Sequence, residues 1–460
     1  MSLTSALNIA QSGLNATGQR ARVASSNIAN VGTPGYVRRS VALVDSQNGG
    51  VGVSGIVRHN DAALSGLRRD AQSSSARSEQ LNTVMSQLLS PYGDPNSGGG
   101  LQAAFDQMRG DLETLRNSPE ALAAQENAVF SLKDFTSSLN SIAAGQANFR
   151  SQADQAIATD VETANNLLYT IEGLNADVVR TQATGANTSD LLDRRDNLIS
   201  ELSEIIPVDI ETDENGAVRI GTRSGLTLLG NTVHEIDFQP VQAVFAADTS
   251  ELAGGRLSIP TIDGRPIGPG AGTSAIHDGR LSANLQLRDT TIPEQGRALD
   301  QFAFDLADTL QTAGMPILVD GSTPVDAGNL TGLAGRLSVA SEIDPDIGGI
   351  PSRLRDGLGA TDTGNPGDDT RLNSIVEALS GRSGDFANLV DGVSSEAFRS
   401  ERIHVGNLSR EATLLESEAA QSGVDMDYEL QSLIAIEQSY SANARVIQSI
   451  GDMFDALLRI

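Results

Sequence analysis

Residues that could perform catalysis or bind metal occur in this chain, but without the spacing that such chemistry requires. The segment 234–238, His-Glu-Ile-Asp-Phe, begins like the zinc-protease pattern HExxH, in which two histidines on one helix face hold the metal. Phe238 stands where the second His is required, and the surrounding residues are typical of a strand. The chain has no Cys, which excludes disulfides, thiolate metal sites and cysteine nucleophiles.

Two other segments match ligand-binding patterns only in part. Residues 50–55 have the letters of GxGxxG, but they lead into the strand-like pair Ile56 and Val57, so we expect no dinucleotide site. Residues 213–216, Asp-Glu-Asn-Gly, resemble the middle of a calcium-binding loop. Thr222 stands where the bidentate Glu is required, so a hairpin turn is the better interpretation.

The remaining titratable residues show no arrangement suited to catalysis. The four histidines are scattered along the chain, at His59, His234, His277 and His404. With 59 acidic side chains, no pair stands out as a general acid and base. We therefore predict a protein that is not an enzyme, with no catalytic residue, no cofactor and no bound metal.

Composition also restricts the partners of the chain. The net charge of −27 disfavours nucleic acid and anionic membrane surfaces, which both repel a strongly acidic protein. Residues 1–14 lack the features of a cleaved secretory signal, and no apolar run is long enough to cross a membrane. Aromatic residues make up 3% of the chain, so we expect its core to consist of Leu, Ile, Val and Ala.

The distribution of proline divides the chain into helical ends and a mixed middle. Of the 15 prolines, 11 lie between Pro207 and Pro366, and none precedes Pro34 or follows Pro366. A first helix is predicted from about Thr4 to Ala29. Its seam residues alternate steps of four and three, as in a helix that packs on another helix: Leu3, Leu7, Ala10, Leu14, Thr17, Ala21, Ala24 and Ile28.

The last helix, predicted at about 427–458, has the same spacing. Its seam consists of Leu430, Leu433, Glu437, Tyr440, Ala444, Ile447, Gly451, Phe454 and Leu458. Narrow apolar stripes of this kind are marginal in isolated helices, so we infer that the two end helices pair as a coiled coil and pack on neighbouring copies. Two ordinary amphipathic helices on a globular core are the alternative.

Between these ends we predict helices over 61–206, with breaks at 91–95, 98–100 and Pro119, and a long helix over about 120–184. From Pro207 the period changes to two, with alternating residues on both sides of Asn215-Gly216, which predicts a hairpin. A helix at 294–312 follows, then a stretch at 314–368 that is mostly loop.

The predicted fold class is mainly α with an inserted β-rich domain. A terminal coiled-coil domain comprises 1–60 and 425–460, with an extended segment after the first helix. An elongated helical-bundle rod comprises 61–206 and 289–424, and an outer β-rich domain comprises 207–288.

Two segments resemble a known family. Residues 26–39, Ser-Asn-Ile-Ala-Asn-Val-Gly-Thr-Pro-Gly-Tyr-Val-Arg-Arg, are similar to the N-terminal signature of bacterial flagellar rod, hook and hook-associated proteins. Residues 422–447 resemble the C-terminal signature of the same family. The first segment is expected to form a helix end and a turn, built by Asn27, Asn30, Thr33, Pro34, Gly35 and Tyr36.

The helical segment around 190–196, Asp-Leu-Leu-Asp-Arg-Arg-Asp, is similar to that of the hook-associated members. This resemblance implies an extracellular structural subunit of the flagellum at the hook–filament junction, present as a ring of copies. It further implies the hook protein and the next hook-associated protein as neighbours. Export through the flagellar type III apparatus without a cleaved signal, aided by a chaperone on the C-terminal helix, is implied as well. A hook or rod subunit, or a secreted adhesin or enzyme on flagellar-type ends, are the alternatives.

The thin seams also predict that residues 1 to about 30 and 427–460 are largely disordered in the free monomer and fold when neighbours complete the seam. Hydrogen exchange of a verified monomer should therefore show nearly unprotected amides in both segments. Strong protection there would contradict this expectation.

Overall fold

The computed structural model describes residues 2–46, 49–93 and 99–458, and it consists mostly of helices. The helices are α1 (Leu3–Ala29), α2 (Ala62–Leu89), α3 (Gly100–Asn117), α4 (Leu122–Ala183), α5 (Ser189–Ile205), α6 (Gly279–Gln286), α7 (Ile292–Thr312), α8 (Arg353–Asp356), α9 (Thr370–Gly381), α10 (Ser383–Ser422) and α11 (Met426–Leu458). A π-helical turn, Leu287–Thr291, joins α6 to α7.

The strands are short and form four antiparallel sheets within the part of the chain that the structure describes. They are β1 (Arg39–Asp45), β2 (Val51–Arg58), β3 (Val208–Thr212), β4 (Val218–Thr222), β5 (Thr227–Leu229), β6 (Ile236–Asp237), β7 (Thr261–Ile262), β8 (Arg265–Pro266), β9 (Leu318–Asp320) and β10 (Leu337–Val339). The sheets contain β1–β2, β3–β4–β5, β6–β7–β8 and β9–β10.

The predicted helices agree closely with those of the structure. Both terminal helices start and end within one residue of the sequence-based bounds, and α4 covers nearly all of the predicted 120–184. The predicted hairpin is formed by β3 and β4, with Thr212 opposite Val218 and Gly216 at φ +80° in the connecting turn. The predicted breaks at 91–95 and 98–100 fall partly on residues 94–98, which lie outside the described residues.

The chain folds into two compact units, each assembled from separate segments. The first unit comprises Met1–Ser75, Ala164–Glu235 and Asn407–Ile460, and the second comprises Ala76–Thr163 and Ile236–Gly406. The segment 207–288 contributes β3–β5 to the first unit and β6–β8 to the second. The division into a coiled-coil domain, a rod and a separate outer β domain stays a prediction.

In the first unit, α1 and α11 pack against each other along their lengths. Ala10, Thr17 and Ala24, seven residues apart, are buried on α1. On α11 the buried residues are Glu429, Ile436 and Ile450, at multiples of the same spacing. The small residues of α1 let the partner approach closely, because a Cβ atom on Gly13 would lie only 2.8 Å from Asn443 Nδ2.

The core of the second unit contains a cluster of four phenylalanines. Phe105 stacks on Phe386 with ring centroids 4.4 Å apart, and Phe135 and Phe302 lie at 5.7 and 6.3 Å from Phe105. Each comes from a different helix: α3, α10, α4 and α7. The expectation of a core made only of aliphatic residues and Ala was therefore wrong, because the few aromatic residues are concentrated where four helices meet.

Replacing Phe105 with Ala should lower the free energy of unfolding of the second unit by about 3–5 kcal/mol, since the side chain is 1% exposed and its loss leaves a cavity. Denaturant unfolding followed by circular dichroism measures this. Phe398→Ala is the matched control, because Phe398 is 62% exposed and its loss should change stability by less than about 0.5 kcal/mol. Equal effects of the two variants would contradict the assignment of Phe105 to the core of the second unit.

Candidate assembly interface

The residues after α1 form a tight turn that directs the chain into an extended segment. Asn30 is the C-cap of α1, and its side-chain amide donates to Ser26 O at 2.8 Å. Tyr36 N donates to Thr33 O at 3.2 Å across Pro34-Gly35, with Gly35 at φ +74°, as in a type II turn. A Cβ atom on Gly35 would lie 1.9 Å from Asn197 Oδ1, so only glycine fits here.

Asn27 connects this turn to the other end of the chain. Its side-chain Nδ2 donates to Arg39 O and to Glu429 Oε1, both at 2.9 Å. Its Oδ1 accepts from Tyr36 OH at 3.0 Å and from Arg39 N at 3.2 Å. Asn27 is 1% exposed, and its amide uses both donors and both acceptor positions. One side chain therefore holds together α1, the extended segment, β1 and α11.

A row of carboxylates on α5 binds two arginines of the β1–β2 hairpin. Arg39 and Arg58 stand directly opposite each other on the two strands, where like charges repel. Asp193 lies between them, with its two oxygens 2.5 Å from Arg39 Nη2 and 2.6 Å from Arg58 Nε. Asp190 and Asp196, one helical turn before and after, pair with Arg39 and Arg58 at 2.7 Å each.

This pairing holds the Arg39 guanidinium in its charged form. Burial acts to lower the pKa of Arg39, but the hydrogen bonds that Arg39 donates to Asp193 and Asp190 outweigh it and raise the pKa above its usual value. The guanidinium also lies 4.6 Å from the centroid of the Tyr36 ring. The acidic motif at 190–196 therefore has a structural explanation, which is the attachment of the hairpin to α5.

Asn175 performs a similar task for the β3–β4 hairpin of the first unit. Its Nδ2 donates to Val218 O at 2.8 Å, and its Oδ1 accepts from Val218 N at 3.1 Å, so it pairs with β4 as a neighbouring strand would. Arg195 donates to Asn175 Oδ1 at 3.1 Å and to Gly216 O at 2.7 Å. In the sequence, Asn175 is visible only as a polar residue that interrupts an apolar heptad pattern of the long helix, which consists of Val161, Ala164, Leu168, Ile171 and Val178. That interruption was the available signal.

The predicted seam of α1 partly faces α11. Ala10 and Ala24 are buried in the structure, and Leu3, Leu7, Leu14, Ala21 and Ile28 are half-buried. The predicted seam of α11 lies beside the buried face: Leu433, Ala444, Ile447 and Phe454 are half-buried, and Leu430, Glu437, Tyr440, Gly451 and Leu458 are exposed. The α11 residues that face α1 lie one position before the predicted seam residues. They start with Glu429, which accepts a hydrogen bond from Asn27. In the single chain α1 and α11 are helical and packed on each other, in contrast to the disorder expected of the free monomer from the thin seams. The role of the predicted seams in assembly stays a prediction.

Many large apolar side chains of α11 are open to solvent. The exposed side chains are Met426, Tyr428, Leu430, Ile434, Tyr440, Val446, Met453, Leu457 and Leu458. An exposed apolar area of this extent on one helix marks a surface for protein contacts. Among the described residues, no cluster of His, Asp or Glu could hold a metal ion, and no helix is long and apolar enough to span a membrane.

Comparison with known proteins identifies these chain ends. A family model described as the flagella basal body rod protein matches residues 7–36, and one for the C-terminal part of the flagellar basal body rod FlgEFG proteins matches 419–460. The paired ends thus define a protein of the flagellar rod and hook class. Between them, the model for the helical domain of the flagellar hook-associated protein FlgK matches residues 85–315, half of the chain. The chain belongs to the flagellar hook-associated protein FlgK family.

Full-length relatives agree with this assignment. The chain is 25% identical to flagellar hook-associated protein 1 of Escherichia coli (strain K12), with all of both chains covered. It is 20% identical to the protein of the same name from Bacillus subtilis (strain 168), over 98% of this chain and 97% of the relative. The structure of the flagellar hook junction protein FlgK from Burkholderia pseudomallei aligns with 19% identity and a TM-score of 0.44, over 56% of this chain and 47% of that one.

Replacing Asn27 with Ala should destabilise the first unit by about 3 kcal/mol, because it leaves buried partners without hydrogen bonds. Four of the five tyrosines lie in the first unit, so tyrosine fluorescence during denaturant unfolding reports mainly on it. Asn8→Ala, at an exposed position of α1, should have almost no effect. Equal unfolding midpoints for the two variants would show that the Asn27 amide does not hold the unit together.

Proposed function

We propose that this chain is a structural, non-enzymatic subunit of the bacterial flagellum that joins the hook to the filament. The observation that carries the proposal is the pairing of the two chain ends in a protein of the FlgK family, with an apolar face of α11 left uncovered. Proteins with similar sequences are named flagellar hook-associated protein 1, and the Burkholderia relative is named a hook junction protein.

The exposed face of α11 supports assembly with other copies. Packing of α1 covers only one side of α11, and further helices are needed to remove the remaining apolar side chains from water. Copies arranged in a ring supply such helices, and the two ends of the ring contact the hook protein and the next hook-associated protein. Contacts of this kind between the terminal helices of neighbours form the coiled-coil seam of the assembly.

The same apolar face has to be protected before assembly. A helix that exposes Tyr440, Val446 and Leu457 would associate nonspecifically inside the cell, so we propose that an export chaperone binds α11 until the chain leaves. The proposed route is the flagellar type III export apparatus, which removes no signal peptide. The assembled subunit is then extracellular.

Deleting the gene tests the function directly. Electron microscopy of the deletion cells should show bare hooks, and the medium should contain flagellin that has not polymerised. Missing hooks would move the assignment to a rod or hook subunit, and intact filaments would contradict it. Complementation with the wild-type gene should restore filaments.

Complementation with Leu430→Asp or Tyr440→Asp then tests the exposed face of α11. Both residues are exposed, at 44% and 51%, so the monomer should fold normally while the buried charge prevents incorporation. Leu67→Asp is the matched control, because Leu67 is 49% exposed on α2 in the same unit. Normal filaments with the α11 variants, or equal loss with Leu67→Asp, would contradict the assignment of the face.

A further inference from the structure

A groove of about 480 Å³ lies between α1, the β1–β2 hairpin and the start of α11, within the first unit. Arg20, Arg38 and His59 line it together with Tyr428 and the apolar residues Val41 and Leu43. Glu429 lies at its base, where Asn27 already donates to the carboxylate. The groove therefore combines a basic rim with an apolar wall.

Two cations of this rim have no acidic partner. Neither Arg20 nor Arg38 forms an ion pair within the described residues, whereas the adjacent Arg39 is paired with Asp190 and Asp193. The Arg38 guanidinium lies 5.3 Å from the centroid of the Tyr428 ring. Burial and the charge of Arg38 lower the pKa of His59, and the Glu429 carboxylate opposes them. The positive charge of the rim comes from Arg20 and Arg38.

Contacts between copies of this chain have a particular electrostatic requirement. Each copy carries a net charge of −27, so identical subunits repel one another unless their contacts place cations against acids. Unpaired arginines beside exposed apolar residues are therefore the surface that best receives an acidic and apolar segment of a neighbour.

The last described turns of α11, residues 452–458, have this complementary character. Asp452 and Asp455 are exposed and form no ion pair with any residue that the structure describes. Met453, Leu457 and Leu458 between and beyond them are 46%, 58% and 83% exposed. These residues lie about 35 Å along α11 from the groove of their own copy, at 1.5 Å per residue, so they cannot enter it.

We propose that the groove of one copy binds residues 452–458 of a second copy, with Arg20 and Arg38 paired to Asp452 and Asp455 and Leu43 packed on Leu458, which lies on the same face of α11 as the two aspartates. The proposal rests on the proposed function and names the contact through which copies join. A contact between two different surfaces of identical chains is head-to-tail, so it can be repeated from copy to copy, and it forms a ring when the rotation between copies closes.

Thiol cross-linking tests this contact cleanly, since the chain has no Cys of its own. Deletion cells are made to express two full-length single variants together, Arg20→Cys and Asp455→Cys, and their isolated flagella are treated with a short thiol-to-thiol cross-linker. We expect a product of twice the 48.0 kDa mass of the chain, absent when either variant is expressed alone. Leu43→Cys with Leu458→Cys, both at exposed apolar positions, should give the same product.

Glu416→Cys replaces Arg20→Cys as the control, because Glu416 is exposed on α10 in the same unit and outside the groove. Filaments that contain both variants of each pair but yield no cross-linked dimer would overturn the proposal and leave the proposed function intact. Cross-linking of Asp455→Cys to a protein of another mass would overturn a second copy as the occupant. Failure of the wild-type gene to restore filaments would instead overturn the proposed function.

Discussion

The first unit depends on one buried amide. Asn27 sits where the end of α1, the extended segment and the start of α11 converge, and at that point the backbone of Arg39 and the Glu429 carboxylate are removed from water. A buried polar group without a partner costs about 1–3 kcal/mol, so an apolar residue at this position would leave several such costs uncompensated. The amide satisfies all of them because it offers two donors and two acceptors within a small volume.

The ion pairs on α5 likewise provide partners for polar groups of the first unit that are removed from water. Two arginines placed opposite each other would force the β1–β2 hairpin apart, and the three aspartates at intervals of one helical turn neutralise them. Asn175 and Arg195 then attach the β3–β4 hairpin to the adjacent helices. Polar contacts therefore fix the relative placement of elements whose apolar seams are narrow, while the second unit relies on the packing of Phe105 and its neighbours.

Sequence patterns predicted the helices and the hairpin well, because those features depend on local spacing. The bounds of α1 and α11 followed from heptads, and the turn at Gly35 from its Pro-Gly pair. The buried face of α11 was placed one residue off, since Glu429 is a charged residue that becomes buried only through Asn27, 402 positions away. The units likewise combine distant segments, and no local pattern shows that β3–β5 and β6–β8 belong to different ones.

That separation of 402 positions between Asn27 and Glu429 has a consequence for timing. A ribosome releases the N-terminal segment long before the residues that complete its environment exist, and a chain that moves through a channel from one end meets the same delay. The first unit therefore stays unfinished until almost the whole polypeptide is present. A protein built in this way completes its first unit only after its last residues have been made, and passage of an unfolded chain through a channel would delay that step again.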